Sequence, residues 1–191
     1  MLLLGVLQAQ AAGAGPVGAG SFDLLETQVL ASSASSVSFT GLSTYAADYQ
    51  HLQIRVTSRD TRAIAINNAF FTFNGDSGSN YSYHGLIGDG STAFGDYGVS
   101  TAIMIFGSTA GANAAAGIYA ATVVDILDAF ETTKYKTIRA FTGATSSNST
   151  VRMWSGSWRN TDALSSILID PAVAASYVAG SRFSLYGIKA A

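Results

Sequence analysis

His51-Leu-Gln-Ile-Arg-Val-Thr-Ser58 alternates without a break. Leu52, Ile54 and Val56 fall on one side; His51, Gln53, Arg55 and Thr57 fall on the other. A side-chain period of two belongs to an extended strand, because successive Cβ atoms point to opposite faces. An apolar side opposed to a polar one predicts a sheet with one buried face. Burial also fixes the register, since a slip of one residue would drive Arg55 into the core.

Working outward, the same signature recurs at 22–30, 36–40, 64–73, 101–106, 117–127, 135–142, 150–157, 164–169 and 182–189. Turn chemistry separates these runs: Gly41-Leu-Ser43, Asn74-Gly75-Asp76, Gly88-Asp-Gly90 and Ala179-Gly-Ser181. Pro171 follows an apolar run, where a missing N–H breaks no ladder. Short strands at this spacing predict an all-β fold, a β-sandwich of jelly-roll type with an extended N-terminal arm. A short helix is expected at 125–130 or 172–177.

The chain has 191 residues, enough for one ordinary domain. Hydrophobic residues make up 48% and charged residues only 12%, the latter about half the usual share. Serine and threonine take the polar role, which suits strands better than exposed helices. So little surface charge is a solubility hazard for a free monomer; packing against copies of itself removes it. Cysteine is absent, so there is no disulfide framework and no thiolate metal site. The net charge is −2. Lys134, Lys136 and Arg139 are the nearest approach to a basic cluster, too few to track phosphates, so no nucleic acid partner is expected.

Residues 1–20 differ from the rest. The apolar run of Leu2, Leu3, Leu4, Val6 and Leu7 precedes a Gly/Ala stretch without periodicity. The run lacks a basic flank and is far shorter than the roughly 20 residues of a membrane span, so neither targeting nor membrane insertion is expected. Its apolar side chains are read as an assembly arm that docks on a neighbouring protein, ahead of a sandwich domain at 21–191. The alternative is a loose leader.

A catalytic site would appear as a convergent set of titratable groups. The two histidines, His51 and His84, have no evident acid–base partner. No serine lies in a G-x-S-x-G setting, and neither H-E-x-x-H nor a Gly-rich phosphate loop is present. No enzymatic activity, cofactor or metal is expected. The most individual stretch is Phe73-Asn-Gly-Asp-Ser-Gly-Ser-Asn-Tyr-Ser-Tyr-His84. Asn74, Asp76 and Gly78 imitate the start of a calcium loop, but Gly85 stands where the bidentate acid belongs. A structural Asx-turn loop is one reading. The other is a recognition loop for a host surface glycan, with Asn74, Asp76, Asn80, Tyr81, Tyr83 and His84 as its contacts. Trp154 and Trp158, four apart, share a face: a packed core layer, or an aromatic platform.

Several of these pieces carry a resemblance. His51-Leu-Gln-Ile-Arg55, the 73–84 stretch, Val124-Asp-Ile-Leu-Asp128, Lys134-Tyr-Lys-Thr-Ile-Arg139, Ser155-Gly-Ser-Trp158 and Phe183-Ser-Leu-Tyr-Gly-Ile-Lys189 are similar to a family of small tailed-bacteriophage virion structural proteins. These are often called tail-fibre or minor structural proteins. The likeness spans roughly 22–189. It implies a virion component assembled in the host cytoplasm, and no catalytic residues. The expected role is a tail- or baseplate-associated, fibre-like or adhesin module. Its expected partners are itself, as a homotrimer, and other phage virion proteins. A capsid decoration (cement) protein and a carbohydrate-binding, lectin-like module are the alternatives.

Overall fold

The computed structural model describes residues 21–145, 149–172 and 174–189. Leu2, Leu3, Leu4, Val6 and Leu7, read as the assembly arm, lie outside the described residues. The strands are β1 (Phe22–Val29), β2 (Val37–Thr40), β3 (His51–Ser58), β4 (Ile66–Phe73), β5 (Tyr81–Gly88), β6 (Ala93–Thr101), β7 (Met104–Ala110), β8 (Ala120–Leu127), β9 (Lys136–Ala144), β10 (Thr150–Trp158), β11 (Ser166–Pro171) and β12 (Arg182–Ile188). An eight-stranded sheet runs β1-β12-β3-β8-β9-β10-β5-β6, and a four-stranded sheet runs β2-β11-β4-β7. Every neighbouring pair is antiparallel. The small sheet packs on one face of the large one, making the all-β sandwich that alternation predicts.

Strand β3 behaves as read. Leu52, Ile54 and Val56 are buried while Arg55 is exposed. The Arg55 guanidinium lies over the rings of Phe22 and Tyr186, at 5.2 and 5.0 Å from their centroids. Within the small sheet the buried Phe71 stacks on Phe106 with centroids 3.7 Å apart, and across the two layers Phe73 meets Trp158 edge-on at 5.7 Å.

The structure corrects the reading of local elements in two places. Among the described residues, no helix forms at 125–130 or 172–177. Strand β8 continues to Leu127 and the chain turns at Asp128, where φ is 49°. The second segment turns at Ala174 and carries Tyr177 into bridges with Ala34 and Asp60. Among the described residues the single helical piece is a 3₁₀ turn, Leu42–Tyr45. Second, β5 and β6 form a hairpin in a region read as loop and turn. Their glycines hid them. At Gly85 a Cβ would sit 2.4 Å from the Trp154 ring, and at Gly98 it would sit 2.6 Å from the Tyr83 ring. Each glycine yields its face to a neighbour's aromatic ring.

Lys136 is interior rather than part of a basic surface. Its ammonium donates to the carbonyl oxygens of Glu131, Lys134 and Thr161, and burial pushes its pKa down. Lys134 pairs with Asp128 at 2.6 Å and Arg139 with Asp125 at 2.8 Å.

Candidate functional site

The 73–84 stretch divides into a corner and a strand. Strand β4 belongs to the small sheet and β5 to the large one, so residues 74–80 carry the chain from one layer to the other. Asn74 (φ 52°) and Gly75 (φ 69°) make the left-handed turn, a conformation that asparagine tolerates and glycine adopts freely. Asn74 Oδ1 accepts from the amides of Ser165 and Ser166, tying the turn to the start of β11. Asp76 is fully engaged. One carboxylate oxygen accepts from Trp158 Nε1 at 2.7 Å and Asn80 Nδ2 at 2.9 Å; the other accepts from the Gly78 amide at 2.8 Å. The indole donor is the first cause of a depressed Asp76 pKa.

Tyr81, read as a recognition residue, is fully buried. Its hydroxyl accepts from the Phe73 amide and donates to the Asp76 carbonyl, both at 3.0 Å; burial raises its pKa to about 12. Tyr83 is half-buried against Trp154, with centroids 6.0 Å apart. Asn74, Asp76, Asn80 and Tyr81 therefore build the corner, and Tyr81, Tyr83 and His84 stand on β5 rather than in a loop. Among the described residues no group of three or more His, Asp or Glu side chains is placed to hold a metal ion. Trp154 and Trp158 are both buried, so neither is a surface platform.

Asp76 carries a pH signature. A carboxylate held below its ordinary pKa stabilises the fold above about pH 4, and that contribution is lost as the pH falls through the folded value. Asp76→Asn is expected to cost about 1–3 kcal/mol at pH 7. Urea titrations at descending pH should show the gap to wild type closing below about pH 4; a gap independent of pH contradicts this role.

His84 points the other way, onto the outer face of the large sheet. That face is not covered by the small sheet. The register sets Val123 opposite Phe141, Phe141 opposite Met153 and Met153 opposite Leu86, one apolar row across β8, β9, β10 and β5. Val123 is 40% exposed, Phe141 54%, Met153 55% and Leu86 56%, and Val151 beside them on β10 is 51% exposed. Contiguous apolar surface of this kind is unusual on a free monomer and marks a contact surface. The next row is polar: Gln53, Asp125, Arg139, Ser155, His84 and Tyr97. Asp125 accepts from Gln53 Nε2 and Arg139 Nε, both at 2.8 Å. A third row places Thr137, Ser157, Ser82 and Val99 side by side. His51, at the β3 end of this face, accepts the Asp128 amide on Nδ1 at 2.8 Å.

No family model, curated protein or solved structure matches this chain.

Tyr97 and the apolar row were not singled out from sequence. A usable signal existed: Val123-Val124 and Met153-Trp154 place apolar side chains on both faces of β8 and β10. An antiparallel strand that is apolar on both sides asks for cover on both sides.

Proposed function

We infer that this chain is a structural, non-enzymatic protein of a bacteriophage particle, tail- or baseplate-associated. It packs with copies of itself, as a homotrimer, and with other virion proteins. The observation that carries the packing is the uncovered apolar row Val123–Phe141–Met153–Leu86 on the large sheet. Burying such a row against a neighbour stabilises the assembly by roughly 25 cal/mol per Å² of apolar surface. It also removes the solubility hazard of a surface poor in charge. The phage assignment is supported by the resemblance of the 73–84 stretch and the closing Leu-Tyr-Gly-Ile-Lys. The arm, Leu2 to Leu7, is the second proposed contact.

Imaging intact particles with this chain labelled tests the assignment. Label at the tail tip or baseplate, in a few to some tens of copies, is the expected result. Hundreds of copies over the head would replace the tail role with capsid decoration, and absence from particles overturns the virion reading. Deleting residues 1–20 is expected to leave the melting temperature of the sandwich unchanged and to abolish incorporation into particles. Normal incorporation of the truncated chain removes the arm from the account.

A further inference from the structure

Beside the apolar row lies a shallow trough of about 350 Å³. Its side chains come from four neighbouring strands: Thr137 on β9, Ser155 and Ser157 on β10, Ser82 and His84 on β5, and Tyr97 and the apolar Val99 on β6. Main chain of Tyr83, Gly98 and Gly156 forms the floor. The register orders the polar groups into two cross-strand rows. Ser155, His84 and Tyr97 make one, and Thr137, Ser157 and Ser82 the other. Neighbours in a row stand about 4.8 Å apart, and the rows are about 7 Å apart.

We propose that this trough is a binding site for a neutral saccharide, with Tyr97 as the platform for one pyranose ring and the serine and threonine hydroxyls as its polar contacts.

Three observations carry this. Tyr97 is 71% exposed, far more than a tyrosine needed for packing, and its ring stands 5.9 Å from that of His84. An exposed flat ring offers its face to the C–H side of a sugar, as aromatic side chains do to other apolar faces. Among the described residues, the hydroxyls of Ser82, Tyr97, Thr137, Ser155 and Ser157 and the ring nitrogens of His84 make no hydrogen bond to the protein. They are donors and acceptors whose positions the strand register sets, open to the hydroxyls of a polyhydroxylated ligand. Finally, the trough is lined by no Asp, Glu, Lys or Arg. Arg139, opposite Ser155 in the sheet, is held by Asp125 at 2.8 Å. An array without charge selects a neutral sugar over a phosphorylated or acidic one. A peptide adding to the sheet would find paired backbone along β9, β10 and β5, and the trough meets the open edge of the sheet only at β6.

The site does not rest on the virion assignment, because the purified full chain is expected to bind whether or not particles contain it. The test records amide chemical shifts of the full chain with four neutral probes: maltotriose, cellotriose, chitotriose and lactose. At least one is expected to move the signals of Ser82, His84, Tyr97, Ser155 and Ser157 together. Sialyllactose is expected to bind more weakly than lactose. Tyr97→Ala should weaken the binding probe about tenfold, as loss of one stacked ring implies, with the melting temperature unchanged. Tyr97→Phe should restore the stacking. The proposal is overturned if none of the four probes shifts the trough signals. It is equally overturned if the shifts persist at full strength in Tyr97→Ala or map to another face.

Discussion

Trp158→Ala is expected to destabilise the protein by about 3–5 kcal/mol. Trp158 is fully buried at the end of β10. Its ring meets Phe73 edge-on and lies nearly parallel to Tyr81, with centroids 5.7 and 6.4 Å away. It also donates to Asp76 at the corner between the two sheets. Alanine leaves a cavity between the layers and removes the strongest donor from Asp76. Trp158→Phe separates the two effects, because it keeps most of the volume and loses the indole N–H. Its expected cost is about 1–3 kcal/mol, that of leaving a charged acceptor short of a partner. Urea unfolding of the three proteins reads both quantities. A loss under 1 kcal/mol for Trp158→Ala would mean that the corner is not held by this side chain.

Ile54→Ala should cost about 2–5 kcal/mol. Ile54 is fully buried between Leu185 on β12 and Val124 on β8, its partners on either side in the sheet. Arg55→Ala, one residue on, faces solvent and removes the stacking over Phe22 and Tyr186 and an exposed hydrogen bond from Nε to Gln53 Oε1, at about 1 kcal/mol or less. The contrast between adjacent positions tests the register of β3. If Arg55→Ala proved the costlier substitution, the alternation that predicts the fold would be misassigned.

Fold class was legible because alternation at 51–58 and its echoes report directly on which face of a strand is buried. Alternation does not say which strand lies beside which, so the expectation of a jelly roll came from strand number rather than pairing. The β5–β6 hairpin was obscured by Gly85, Gly88, Gly95 and Gly98, residues of low strand propensity; at Gly85 and Gly98 an aromatic ring occupies the space a side chain would need. The 73–84 stretch was rightly singled out as unusual, and one of its two readings, the Asx-turn corner, describes 74–80. Nothing in the chain order reveals that Trp158 lies over Asp76, 82 positions away. The interaction face was hidden for a related reason. Leu86, Val123, Phe141 and Met153 come from four segments, and only the register of three strand pairs makes them one surface.

The central claim is that the apolar row on the outer face of the large sheet is an assembly surface, and one measurement tests it most directly. Phe141→Asp with Met153→Lys places charge in the middle of the apolar row, at two positions more than half exposed. In the isolated protein such surface changes should leave the melting temperature nearly unchanged. The quantity to measure is the copy number of this variant in purified particles, relative to wild type. The account predicts a folded protein that particles exclude, with incorporation reduced at least about tenfold; a folded variant incorporated at the wild-type level would contradict it.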